Sequence, residues 1–270
     1  MKRIVAPTFL SLDRPLAEVL GQVARAGVRL IELHGDAPDK HIDLTDEDAV
    51  SAVSRAAAEL GLEVHSVHSP FSNPSEEDWD ISQPDQTRRA RAIESHAKVI
   101  RAAAKLGASH VVIHAGVRNR TGFRSAQCRA SLEELSQVAR EAGIRIAVEN
   151  LPPDYLVGSV EDVRRMIEGL DPGVVGFCLD TGHAMLGRDS PTDYVRAFHD
   201  RLLGVHWHYN DGKDDTHLFP SHEDSDWRGF LAALAEIGYD LPVTVEAVPP
   251  DGISLRDAFR AAREAFGETG

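Results

Sequence analysis

Cysteines, long apolar runs and basic residues are all scarce in this sequence. Only two of its 270 residues are cysteines, Cys128 and Cys178, so we expect no disulfide framework and take a reducing, cytoplasmic setting as the default. No apolar run approaches the roughly 18 residues that span a bilayer. The chain enters a strand-like run directly after its first three residues, without the apolar segment of a secretory signal. We therefore expect no membrane partner.

The charge balance is acidic. The chain has 43 aspartates and glutamates against 29 lysines and arginines, which gives a formal net charge of −14. Proteins that bind a phosphate backbone usually present a basic face, so the composition argues against a nucleic-acid partner. The length suits one large domain, which we expect to cover residues 1–270. Whether the chain forms a homo-oligomer stays open at this point.

Eight apolar, strand-like runs alternate with helical patterns along the chain. They cover residues 4–9, 29–34, 62–68, 110–114, 144–150, 174–180, 202–208 and 242–247. Strands that alternate with helices predict a parallel sheet, and eight such units in a chain of this length predict a (β/α)8 barrel. An open doubly wound sheet is the alternative. It fits less well because no glycine-rich phosphate loop follows the first strand.

Most of these runs end in histidine, aspartate or glutamate. The polar residues at or near the ends are Glu32 or His34, His68, His114, Glu149, Asp180, His208 and Glu246. A buried carboxylate is costly unless it is paired or binds a metal. Because the carboxyl ends of barrel strands meet on one face, where active sites of this fold lie, these residues predict a metal site there. Mixed carboxylate and imidazole ligands suit Zn, Mn or Fe.

Two further motifs follow the sixth and seventh runs. LDTGHA places His183 three residues after Asp180, and DDTH adds Asp215 and His217. His206 and His208 face the same way in a strand because side chains alternate. We assign His206 to packing or to a role behind the ligands rather than to a ligand. The remaining histidines, His34 among them, are assigned no role of their own.

The chemistry-bearing motifs stand in a fixed order. VHSPF, VVIHAG, VEN, LDTGHA, HYND, DTH and VEA each lie at or just after the end of a strand-like run. This ordered set resembles the xylose isomerase-like TIM barrel superfamily, which contains sugar and sugar-phosphate isomerases and epimerases and AP endonuclease family 2. The resemblance covers essentially the whole chain. It implies an enzyme built on a single (β/α)8 TIM barrel.

The epimerase-like branch implies a divalent metal ion, Zn or Mn, and a small sugar or sugar phosphate as substrate. The metal ligands that it implies are Glu149, Asp180, His208 and Glu246. In that branch the two glutamates also act as acid and base and exchange a proton next to the carbonyl through a cis-enediolate. His183, Glu32 and His68 are then candidates for binding the substrate. Arg118 and Arg120 could bind a phosphate group, although a solvated loop suits them better.

The endonuclease-like branch implies up to three zinc ions and a phosphodiesterase of the AP endonuclease type. The further ligands that it implies are His68, His114, His183, Asp215 and His217. The loop after His68, PFSNPSEEDWD, is acidic and would repel DNA phosphates. Ser221 and His222 also stand where family members often carry glycines. We therefore favour the isomerase or epimerase and keep the zinc nuclease as the alternative.

Overall fold

The computed structural model of the chain closes into the barrel that the alternation predicts. It describes residues 4–39, 41–71, 75–116, 122–221 and 225–267. Eight parallel strands pair in chain order, and the last pairs with the first. The predicted fold class, a (β/α)8 barrel, is confirmed. The strands are β1 (Ile4–Pro7), β2 (Leu30–His34), β3 (Glu63–His68), β4 (His110–His114), β5 (Arg145–Glu149), β6 (Val175–Asp180), β7 (Leu202–His206) and β8 (Val243–Thr244).

Helices connect the strands around the outside of the barrel. A short 3-10 helix, Thr8–Ser11, follows β1. The α-helices are α1 (Leu16–Ala26), α2 (Glu47–Glu59), α3 (Glu76–Trp79), α4 (Gln86–Lys105), α5 (Gly122–Ala142), α6 (Val160–Ile167), α7 (Thr181–Leu186), α8 (Pro191–Ala197), α9 (Arg228–Glu236) and α10 (Leu255–Ala265). Among the described residues, none of these helices is long and apolar enough to cross a membrane.

Some element ends differ from the sequence expectation, for local reasons. Helix α1 begins at Leu16, and Arg14 stays outside it because the residue before a proline is disfavoured in the helical region. Helix α2 is capped by Asp46, whose carboxylate accepts hydrogen bonds from two main-chain amides of the first turn. Thr45, next to this cap, donates its hydroxyl to Asp43. Strand β8 is much shorter than its apolar run.

The barrel interior has an apolar layer of its own. Val112, Ala147, Cys178 and Leu203 are buried and form a cluster separate from the main core, which lies between the sheet and the helices. Val112, Ala147 and Cys178 each lie two residues before the polar end of their strand, so both layers point inward. We call these four residues the floor cluster, and the polar strand ends above them the mouth.

Candidate metal centre

The first group of polar residues at the mouth joins β3, β4 and β5. Register places His114 beside Glu149. The Oε2 atom of Glu149 lies 3.2 Å from Nε2 of His68 and 3.3 Å from Nε2 of His114. The three side chains each offer one ligand atom within 4.8 Å of the others, and Glu149 and His68 are buried. The structure thus brings three of the predicted ligands to one point.

The second group combines α7 with the loop after β7. Oδ2 of Asp215 lies 3.1 Å from Nε2 of His183 and 3.3 Å from Nε2 of His217. The loop is fixed by Asn210, whose side chain donates to Asp215 and accepts from the main-chain amide of His217. His217 adopts a φ of 46°, a left-handed conformation that is uncommon for a residue other than glycine. Such strain typically persists where surrounding contacts hold a functional residue.

The third group joins β6 with the residues that follow β7 and β8. Nε2 of His208 is 2.9 Å from both carboxylate oxygens of Asp180. The His208 ring stacks on His217 with centroids 4.1 Å apart, and these two residues and Glu246 can offer atoms to a common ion. Gly182 is required here, because a Cβ at that position would collide with the His208 imidazole. All nine candidate ligands therefore lie together at the mouth.

A cavity of about 160 Å³ opens beside these groups. Its polar side is formed by His68, His114, Glu149, His183, Asp215, His217 and Glu246, and its apolar side by Phe71, Leu151, Pro152 and Tyr155. Pockets for drug-sized ligands typically measure roughly 300–1,000 Å³, so this one suits a smaller ligand. Arg118, Arg120 and His222 lie outside the described residues.

Comparison with known proteins places this barrel in a family. The chain matches the model described as xylose isomerase-like TIM barrel over residues 20–266. The chain belongs to this family. The resemblance in the sequence is thereby confirmed. A protein of Sinorhizobium fredii, described as uncharacterized, is 27% identical over 91% of this chain and 85% of its own length.

Two solved structures share the fold of this xylose isomerase-like barrel. A D-tagatose 3-epimerase-like protein superposes with a TM-score of 0.84 at 22% identity, covering 98% of this chain and 97% of that one. The 3-keto-D-glucoside 4-epimerase of E. coli gives a TM-score of 0.79 at 19% identity and covers 98% and 100% of the two chains. At these identities the likeness establishes the common barrel.

Hydrogen bonds in this xylose isomerase-like barrel fix which ring nitrogen faces the carboxylates. Three imidazoles direct Nδ1 at a main-chain carbonyl oxygen. The pairs are His68 with Ser69, His183 with Asn150 and His217 with Glu246, at 3.0, 2.9 and 2.8 Å. A carbonyl oxygen only accepts a hydrogen bond, so Nδ1 of each ring carries the proton. In the neutral ring Nε2 then has a lone pair that faces a carboxylate oxygen, and neither atom can donate to the other. Either a second proton on the ring or a metal ion removes this conflict, and metal-binding histidines are usually anchored in this way. The residues present fit a divalent metal.

Electrostatics at the mouth of the barrel favour ionised carboxylates. Burial opposes the charge of Glu149, but His206 and His114 hold its pKa well below the ordinary value. Burial also opposes the charge of Glu246, and His206 again lowers the pKa. Against the effect of burial, the hydrogen bond to Glu149 and its charge raise the pKa of His68 to about 9. A divalent cation needs carboxylate ligands in this ionised form.

Sequence reasoning missed part of this site. His34, assigned no role, stacks on His68 with ring centroids 4.6 Å apart, and its Nε2 lies 3.2 Å from Oε1 of Glu32. Glu32 is buried and accepts a 2.6 Å hydrogen bond from Ser66, and it is not among the described residues that line the cavity. The signal for His34 was present, because residues two apart in a strand share a face with one another. A substrate contact for Glu32 stays a prediction.

Proposed function

We propose that this protein is a metal-dependent isomerase or epimerase of a small sugar, with Glu149 and Glu246 as acid and base. One observation supports this best. Both buried carboxylates line the cavity and approach the same nitrogen, Nδ1 of His206, at 3.3 Å from Glu149 and 2.8 Å from Glu246. Two carboxylates that meet at the wall of one cavity suit removal of a proton from carbon and its return.

The proposed metal ligands are Glu149, Asp180, His208 and Glu246, with Zn or Mn as the ion. When bound, the ion would polarise the carbonyl and hydroxyl oxygens of the sugar and stabilise the charge that develops on them. One glutamate takes the proton from the carbon next to the carbonyl, and the other returns a proton to the resulting cis-enediolate. His68 and His183 are proposed to hold the substrate beside this pair.

The test is proton exchange from solvent. The protein, loaded with Zn or Mn, is incubated in D2O with a panel of ketoses and their phosphate esters, and deuterium at carbon is followed by NMR. We expect incorporation with at least one sugar and its loss in Glu149→Gln and Glu246→Gln. Glu59→Gln, an exposed substitution at the end of α2, serves as the matched control. Full exchange in Glu149→Gln would reject the assignment of acid and base.

A second function, zinc-dependent phosphodiester cleavage of the AP endonuclease type, is supported by one specific observation. His68 and His114 converge on Glu149, and His183 and His217 converge on Asp215, which adds five candidate ligands to the proposed four. Elemental analysis of the purified protein separates the two functions. About one ion per chain supports the epimerase. Two or three zinc ions per chain, together with nicking of abasic duplex DNA, would put the nuclease first.

A further inference from the structure

His206 occupies the centre of the mouth. Its buried ring lies on β7 and contacts carboxylates from three other parts of the barrel. Nδ1 donates to Oε1 of Glu149 on β5 at 3.3 Å and lies 2.8 Å from Oε2 of Glu246, just after β8. Nε2 lies 3.2 Å from Oε1 of Glu32 on β2. Carboxylates therefore engage both ring nitrogens, which sets His206 apart from the histidines anchored on main-chain carbonyls.

Glu32 holds the far side of this ring. The Glu32 carboxylate is fully buried, and Oε2 accepts a 2.6 Å hydrogen bond from Ser66 on the neighbouring strand. Oε1 lies 3.2 Å from Nε2 of His34 on its own strand. With contacts from two adjacent strands, Glu32 is a fixed anchor for Nε2 of His206.

We infer that Glu32 and His206 form a positioning dyad that holds Glu149 and Glu246 at the separation their reaction needs. Glu32 orients the ring, and Nδ1 then lies within 3.3 Å of one carboxylate oxygen of each glutamate. A ring held on its far side by Glu32 fixes the two carboxylates that approach its Nδ1, as groups behind metal ligands commonly orient those ligands. This inference rests on the proposed function, because it assigns a role behind the proposed acid and base. His206 acts through these two carboxylates and does not touch the substrate.

Two substitutions of His206 separate positioning from packing. His206→Leu removes both contacts, whereas His206→Asn keeps an N–H donor at a position close to that of Nδ1. The metal-free protein is titrated calorimetrically with Zn. We expect His206→Leu to raise the dissociation constant for Zn by roughly 10–100-fold, the effect typical of groups that orient ligands. We expect kcat to fall by a similar factor with KM nearly unchanged. In His206→Asn, Zn affinity and kcat should each be about tenfold higher than in His206→Leu.

Glu32→Gln provides a second variant should His206→Leu fold poorly. It should weaken metal binding in the same direction but by less, because Ser66 and His34 still hold the side chain. If the two residues act as a dyad, the double variant Glu32→Gln with His206→Leu is no worse than His206→Leu alone. Val205→Ala is the matched control, a buried change in the same strand that belongs to the main core and should lower Tm without altering the metal dissociation constant.

Two results would overturn the dyad. One is an unchanged metal dissociation constant in His206→Leu and Glu32→Gln, with only Tm lowered as in Val205→Ala. The other is additivity of the two losses in the double variant. Failure of the proposed function is distinguishable, because it would show as full activity in Glu149→Gln while the effect on metal binding persisted.

Discussion

The mouth and the floor cluster of this barrel are one inward-facing layer apart, yet their chemistry is opposite. On three adjacent strands the step from floor to mouth is Val112 to His114, Ala147 to Glu149 and Cys178 to Asp180. The floor cluster adds apolar burial and so stabilises the fold. The mouth places carboxylates in a buried site, which costs stability unless imidazoles or a metal compensate them. Stability and chemistry thus occupy separate layers, and substitutions should affect them separately.

The largest expected effect is the loss of activity at the mouth. Glu246→Gln removes one of the two proposed acid–base carboxylates, so kcat should fall by roughly 10³-fold, within the range attributed to general acid–base catalysis. Far-UV circular dichroism should be unchanged, because the amide keeps the shape of the side chain. Activity close to that of the unmodified protein would mean that Glu246 is structural and that the mouth is not a catalytic layer.

The floor cluster should show the reverse behaviour. Leu203→Ala leaves a cavity against Gly176, which has no side chain to fill it. The free energy of unfolding should drop by roughly 2–5 kcal/mol, as for other large-to-small core substitutions. Urea denaturation measures this loss, and calorimetric titration should give an unchanged metal dissociation constant for the folded protein. A weakened metal affinity would show that the two layers are coupled.

A smaller effect is expected where the mouth is sterically tight. In Gly182→Ala the new methyl meets the His208 ring, so overpacking should cost roughly 1–3 kcal/mol and displace a proposed ligand. We expect metal affinity to fall about tenfold, in line with disturbed ligand orientation. Gly229→Ala in α9 is the matched control, since the nearest atom to its Cβ is Oγ1 of Thr192 at 3.6 Å. The control should leave metal affinity unchanged.

The sequence alone predicted much of this architecture. The apolar runs and their polar ends predicted both the barrel and the face on which nine candidate ligands meet, because side chains that end parallel strands share one end of the barrel. Asp215 and His217 came from the DDTH motif, and their role as ligands came from the resemblance to the family. Their convergence on His183 depends on the loop that Asn210 organises, which no periodicity describes.

The partners of His206 could not be predicted from local pattern. Its partners Glu32 and Glu149 are 174 and 57 residues away in the chain, and only closure of the barrel brings them together. Strand alternation predicted that the His206 ring points the same way as His208, but not which carboxylates of other strands it meets. The same applies to His34, whose stacking on His68 is set by the pairing of β2 with β3.

The smallest effect concerns a histidine near the floor cluster. His110 is buried at the start of β4, two residues before Val112, with Nδ1 at 2.8 Å from Oγ of Ser109. Burial lowers its pKa to about 3 from the ordinary histidine value of 6.5. Below pH 6.5, His110 binds a proton in the unfolded chain but not in the folded protein. Its contribution to the free energy of unfolding, fully present above pH 6.5, is therefore lost progressively as pH falls toward 3.

Replacing His110 therefore tests whether the surroundings of the floor cluster keep a buried histidine neutral, in contrast to the charged groups of the mouth. In His110→Gln the free energy of unfolding should depend less steeply on pH between 6 and 4.5, by about 1 kcal/mol per pH unit, close to the limit of 1.4 for one proton. The slope is the measurement, because the substitution also changes absolute stability. His199→Gln, at an exposed position after α8, should keep the original slope. An unchanged slope in His110→Gln would mean that His110 already binds a proton in the folded state and that the floor tolerates charge.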